Sequence, residues 1–209
     1  MRWISRSLRD IGADFILAPE HWLAAETASN LAEGRRFGDI VHAVTQTQVP
    51  PENARFVLDT GNAREGLLDI TILGNPISGR TSAKKVARDG DIIISRLRPY
   101  LRQVAYIPFG ACASLGVEQI YCSTEFFVFR PREAGSNIAG LAGWLLSPPI
   151  REMVSAAATG GHHPRINAEL LLNSPVEERF LSGEISERLS LLFSSHLQGQ
   201  RQLTVLLGH

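Results

Sequence analysis

The stretch Gly90-Asp91-Ile92-Ile93-Ile94-Ser95-Arg96-Leu97-Arg98-Pro99-Tyr100 decides how this chain is read. Three β-branched residues in a row favour a strand, an Asp-Gly pair ahead of them marks a turn, and Pro99 closes the run, which predicts a strand from Ile92 to Leu97. Side chains alternate across a strand, so Arg96 and Arg98 are expected on one face. Their spacing there is about 7 Å from the strand rise, which matches successive phosphates or adjacent base edges. Tyr100 and Arg102 extend the same surface. The competing reading is a solvated polar face opposite a buried isoleucine face.

Working outward, the same kind of signal recurs. Short apolar stretches at Ile40–Val44, Phe56–Leu58, Leu67–Leu73, Val104–Ile107, Gln119–Cys122 and Phe126–Phe129 are separated by Pro, Gly, Asn and Ser turn residues. They predict further strands, assembled most economically as one twisted, mostly antiparallel sheet. Helical periodicity flanks them. Pro19 to Glu33 reads as an N-terminal packing helix, and Ile138, Leu141 and Leu145 mark a helix that stops at Ser147-Pro148-Pro149. Ser147 is placed to cap the next helix, Ile150 to Ala158, and a short apolar helix follows around Ile166 to Leu172. From Arg179 onward proline is absent. Ile185, Leu189, Leu192, His196, Gly199, Leu203 and Leu206 step by four and three, the seam of a two-helix coil, although an amphipathic helix packed on its own domain gives the same spacing. The expected fold class is therefore α+β: a sheet domain over residues 1–178 with flanking helices, then a long C-terminal helix over 179–209 for dimerisation or docking.

Composition bounds the function. The chain has 209 residues, 44% hydrophobic and 20% charged, with mean hydropathy near zero, the profile of a globular protein. No apolar run approaches the roughly 20 residues of a membrane span, and the first ten residues lack a signal-peptide core, so no membrane and a cytoplasmic location are expected. Cys112 and Cys122 are too few for a disulfide framework and lack zinc spacing; free, packed thiols are expected. Basic and acidic residues balance at 21 each, yet 19 of the basic ones are arginine. Between Arg80 and Arg102, seven basic residues (Arg80, Lys84, Lys85, Arg88, Arg96, Arg98, Arg102) face only Asp89 and Asp91. A neutral chain that concentrates positive charge in one segment can present one face to a polyanion.

The search for catalysis comes back empty. There is no GxxxxGK[ST], GxGxxG, GxSxG or HExxH, and the two lysines have no adjoining carboxylate of the kind metal-dependent nucleases use. His162 and His163 are adjacent and so point apart, with no Cys or carboxylate partner at ligand spacing. No enzyme activity, metal or cofactor is expected. What remains suits binding: the 90–102 segment, and the loop Thr159-Gly160-Gly161-His162-His163-Pro164-Arg165, whose glycine pair lets backbone track a ligand closely. A surface connection is the plainer reading of that loop.

Gly90 to Pro99, then Cys122-Ser123-Thr124-Glu125-Phe126-Phe127-Val128-Phe129-Arg130-Pro131, then Ala158 to Ile166 together resemble, in order and spacing, the target-recognition domain of type I restriction-modification specificity subunits. Phe37-Gly38-Asp39-Ile40-Val41 looks like that family's opening segment and Asn173-Ser174-Pro175-Val176 like its closing strand. The resemblance implies a reader of double-stranded DNA without chemistry of its own. Such a subunit directs a partner adenine-N6 methyltransferase, and in restriction complexes a translocating nuclease subunit, as part of phage defence. It further implies that Arg80, Lys84, Lys85, Arg96, Arg98, Tyr100, Arg102, His162, His163 and Arg165 form the DNA surface, and that the helix from Arg179 is a spacer and methyltransferase dock. The family ordinarily carries two recognition domains, whereas this sequence carries one; either two copies pair through the C-terminal helix, or one copy reads a half-site within a larger complex, or a related defence system borrows the domain. The alternative from another class is an adaptor that keeps the fold and binds only protein.

Overall fold

A computed structural model describes residues 34–52, 54, 57–71, 82–159 and 164–207. The expected N-terminal helix at 19–33 lies outside them. In chain order the described elements are α1 (Phe37–Ile40), β1 (Val41–Ala43), β2 (Thr47–Gln48), β3 (Val57–Leu58), β4 (Ala63–Arg64), β5 (Leu67–Leu68), β6 (Lys84–Ala87), β7 (Ile92–Ser95), a 3₁₀ turn (Pro99–Leu101) and β8 (Val104–Tyr106). They continue with α2 (Ala111–Leu115), β9 (Ile120–Cys122), β10 (Phe126–Pro131), α3 (Ala139–Leu145), α4 (Pro148–Ala157), α5 (Ala168–Leu172), a 3₁₀ turn (Glu178–Leu181) and α6 (Gly183–Leu207).

The fold is α+β, but in place of the single sheet expected from sequence the described residues form two four-stranded sheets and a hairpin. The first has the order β1-β10-β7-β8 and is antiparallel throughout; the second, β2-β6-β9-β3, is mixed, because β3 runs parallel to β9; β4 and β5 form a separate hairpin. Alternation along β7 explains the layering. Ile92 and Ile94 join Phe129, Tyr106 and Trp144 in a core beneath the helices, while Ile93 joins Val128, Ala105 and Ile120 in a second core shared with the other sheet. With both faces of the first sheet covered, its central strand reads as an unbroken apolar run and not as an alternating one. Register follows suit, with Ile92 opposite Phe129 and Ile93 opposite Val128.

β7 also stops earlier than predicted. The buried Ser95 Oγ donates to Leu97 O at 2.9 Å and accepts from Leu97 N–H at 3.2 Å, a local side-chain bond that turns the backbone out of the ladder before Arg96. The Leu67–Leu73 strand likewise shrinks to Leu67–Leu68, with residues beyond 71 outside the described set. Lys84–Ala87, to which the sequence reading assigned no element, is a strand whose Val86 and Ala87 are buried and whose Lys85 carries its ammonium over the Phe127 ring. A tight turn joins β6 to β7: Asp91 N–H donates to Arg88 O at 3.1 Å and Asp91 Oδ2 accepts from Arg88 N–H at 2.8 Å.

Helices α3 and α4 fall where expected. Ser147 holds the N-cap position of α4, yet its hydroxyl makes no capping bond. The C-terminal helix begins at Gly183, after a 3₁₀ turn, and it buries Ser186, Phe193, Leu197 and Gln200. That face is rotated by one residue from the predicted seam, which leaves Leu192, Leu203 and Leu206 exposed. The cause is where α6 crosses α3. Gly140 N–H donates to Ser186 Oγ at 3.3 Å, so the crossing needs small residues, and Phe193 and Leu197 fill the space beyond it. Gln200 Oε1 then accepts from Ile70 N–H at 2.9 Å and ties the helix to the segment after β5.

Candidate nucleic-acid interface

Three segments distant in sequence meet at the end of the first sheet where β7 finishes and β10 starts. Arg96 N–H donates to Glu125 O at 2.9 Å, Ile166 N–H to Arg96 O at 3.0 Å and Arg98 N–H to Pro164 O at 2.9 Å. Leu97 and Arg165 bridge antiparallel, and Thr159 and Arg165 bridge in turn through N–H···O bonds of 3.0 and 2.8 Å that pin the base of the second loop. The 90–102 segment, the 122–131 segment and the 158–166 segment thus form one backbone-bonded edge.

Glu125 sits at its centre. Arg96 donates to it through Nε at 3.0 Å, and Arg165 donates through Nη2 at 3.0 Å and Nε at 3.3 Å. These bonds, Arg165's first and Arg96's second, pull the Glu125 carboxyl down from 4.5 to about 2. The folded value lies below the unfolded one, so the stability this group contributes is full above about 4.5 and is lost as the pH falls toward 2. Urea midpoints of wild type and Glu125→Gln should therefore differ by a constant amount above pH 4.5 and converge on approach to pH 2. A difference that grows on acidification would remove the clamp from the native state. Both guanidiniums keep their Nη1 donors clear of Glu125, so each can take a second acceptor beyond the edge.

The lysines join from the second sheet. Because the 88–91 turn reverses the chain, the start of β6 lies beside the end of β7. Lys85 Nζ stands 5.5 Å from the Phe127 ring centroid; burial pushes its ammonium down, and the nearby Arg96 charge pushes the same way. Lys84 Nζ donates to Ser82 Oγ at 3.1 Å. Arg88 is carried by the same reversal to the opposite end of the sheet, beside Asp91, so the basic segment does not form one face.

The expected pairing of Arg96 and Arg98 on one strand face fails with the early end of β7. Arg98 instead takes a left-handed conformation (φ +49°), as does Arg102 (φ +54°), on either side of the Pro99–Leu101 turn. Each costs about 1–3 kcal/mol in a non-glycine residue and persists only where the surroundings fix it. Here the fixing is visible: Leu101 N–H donates to Arg98 O at 2.9 Å, Val104 N–H to Arg102 O at 2.9 Å and Glu65 N–H to Arg102 O at 3.2 Å, and Arg102 Nη2 meets Glu65 Oε2 at 2.7 Å. Arg102 is thereby engaged with Glu65. Tyr100 projects outward, 55% exposed, with Leu101 beside it.

Arg96, Arg98, Tyr100, Lys85 and Arg165 are therefore brought to one neighbourhood, Arg102 joins its margin, Lys84 follows on the alternate face of β6 with Ser82, and Arg80, His162 and His163 lie outside the described residues. Glu125 was missed as a site residue; its signal was its position inside the 122–131 segment, immediately before an aromatic strand. Among the described residues, no group of three or more His, Cys, Asp or Glu side chains is arranged to hold a metal, and no helix is long and apolar enough to cross a membrane. Cys112 and Cys122 are buried free thiols, both pushed up to about 12 by burial.

No protein-family model and no curated protein matches the sequence. Among solved structures, the chain is similar to the HsdS subunit from Thermoanaerobacter tengcongensis, with TM-score 0.38 and 16% identity over 88% of this chain and 45% of that one. It is also similar to a chain from a structure of complex assembly and conformational transition in the type I R-M system, with TM-score 0.41 and 16% identity over 90% of this chain and 51% of that one. The chain spans about half the length of both.

Proposed function

We propose that this chain is a DNA-reading specificity subunit that directs a partner adenine-N6 methyltransferase, and in a restriction complex a nuclease or translocase subunit, to its target. The observation that supports the reading best is the convergence just described: the three segments that carry the sequence resemblance are hydrogen-bonded to one another at one edge, which presents Arg96, Arg98 and Arg165 with Lys85 close by. Guanidinium forks held by a carboxylate are oriented in advance, which suits base edges, while the lysines at the margin suit phosphates. The exposed row of Leu192, Leu203 and Leu206 on α6 offers a surface for the methyltransferase or for a second copy of the chain.

The test is selection of the full chain on a randomised duplex pool at two salt concentrations. Contact with about four phosphates gives a slope near −3.6 in log K against log salt, hence on the order of a hundredfold weaker binding between about 50 and 200 mM. Lys84→Ala should lower that slope by about one while weakening all sequences alike. An enriched palindrome indicates a dimer. The adaptor reading has one observation in its favour: Glu125 and Glu65 already answer Arg96, Arg165 and Arg102. A duplex pool left unretained at either salt concentration selects it.

A further inference from the structure

We infer that the Pro99–Leu101 turn is an apolar wedge that enters the base stack of bound duplex DNA and kinks it at one step. The inference rests on the DNA-reading function proposed above and concerns a different act, deformation in place of hydrogen-bonded readout.

Tyr100 and Leu101 are consecutive large apolar side chains, 55% and 45% exposed, at a sheet end that also carries the charged Arg96, Arg165 and Glu125 and the polar Thr124. Neighbouring exposed apolar residues inside a charged rim mark a contact surface. The turn is also built to keep them there. Pro99 is buried and lines one small internal cavity with Val104, Leu145 and Val154, so the base of the turn is anchored in the helical core while its tip points away. The strained backbone at Arg98 and Arg102 encloses the tip on both sides and is held by the bonds to Pro164, Glu65 and Val104. A relaxed loop would let both side chains fold back onto the surface; this one holds them outward.

The surrounding charge selects the partner. Arg96, Arg98, Arg102 and Arg165 stand near the tip, three of them paired with Glu65 or Glu125, and Arg151 of α4 lines the cavity beneath it, an excess of guanidiniums that suits a polyanion and not an apolar protein groove. Duplex DNA is the polyanion that offers an apolar interior between phosphate rails, and a ring with an adjoining aliphatic side chain is the usual chemistry of side chains that unstack a base step.

The experiment uses the full chain and the duplex enriched from the randomised pool, with 2-aminopurine substituted in turn at each adenine and fluorophores at the two ends. Wild type should raise 2-aminopurine emission at one step and shorten the end-to-end distance. Tyr100→Ala with Leu101→Ala should abolish both signals and weaken target binding about tenfold, with a smaller loss of non-specific binding and with cooperative unfolding retained. Tyr100→Phe, which keeps the ring, should retain them. Undiminished emission and bending in the double variant would overturn the wedge while leaving sequence reading intact, as would a wild-type complex with straight, fully stacked DNA. Failure to bind any duplex would overturn both.

Discussion

Replacing Arg130 by alanine should lower the unfolding free energy by about 3–5 kcal/mol, read as a shift in the urea midpoint without loss of cooperativity. Asp91 is fully buried, and its carboxylate accepts from Arg130 Nε at 2.9 Å, from Arg130 Nη2 at 2.7 Å and from Arg88 N–H at 2.8 Å. Arg130 on β10 reaches Asp91 because Phe129 lies opposite Ile92, which sets the two residues side by side at the sheet end remote from the candidate interface. Truncating the arginine removes both charge-assisted bonds and strands a carboxylate out of water, the costly way to break such a pair. Arg130→Met combined with Asp91→Asn should recover part of the loss, since the amide oxygen still accepts from Arg88 N–H and no bare charge remains. An equal loss in the double variant would show that packing of the guanidinium, and not charge, is what the sheet requires. DNA binding of the folded Arg130→Ala fraction should be unchanged.

Gly140→Ala should cost about 3 kcal/mol, the upper part of the range for overpacking, against the gain of up to about 1 kcal/mol that alanine brings to a helix interior. A Cβ there would run into the carbonyl oxygen of Phe180 and stand 2.8 Å from Ser186 Oγ. The first obstacle is backbone, so it cannot rotate away, and the 3₁₀ turn that carries Phe180 must lift from α3. Ser186→Gly removes only the second obstacle and should not restore stability; if it does, the Phe180 carbonyl yields more readily than its position implies. Gly143→Ala is the control. Its Cβ would meet only the tips of Phe180 and Leu189 at 3.2 and 3.3 Å, which can shift, so its midpoint should move far less.

These two sites show where sequence is informative and where it is not. The Ile92–Ile94 run announced the central strand, because three β-branched residues have few other places to go, and the proline and serine punctuation placed α3 and α4. Periodicity could not register the Ser95 bond to Leu97, a single hydroxyl that ends β7 and changes where Arg96 and Arg98 stand. Nor could it register β6, whose two lysines look solvated until Phe127 lies under one of them. On α6 the leucines suggested one face and the packing chose the next, because the close crossing at Gly140 selects for smallness, which hydrophobic patterning ignores. The three segments that meet at the edge were legible through their motifs. Their arrangement was not, since Glu125 joins Arg96 to Arg165 across segments that no local pattern links.

The first strand of the main sheet pairs with the last: Val41 lies opposite Pro131 and Ala43 opposite Phe129. During synthesis, β1 therefore emerges long before its only neighbour in that sheet exists, and β3 waits in the same way for β9. Loop closure over such spans must come before any pairing repays it, which puts this chain among slow, high-contact-order folders. In that interval Ile92–Ile94 and Phe126–Phe129 are uncovered β-prone runs, so yield on overexpression should depend on how fast the ribosome delivers β10 and on what shields those strands until then.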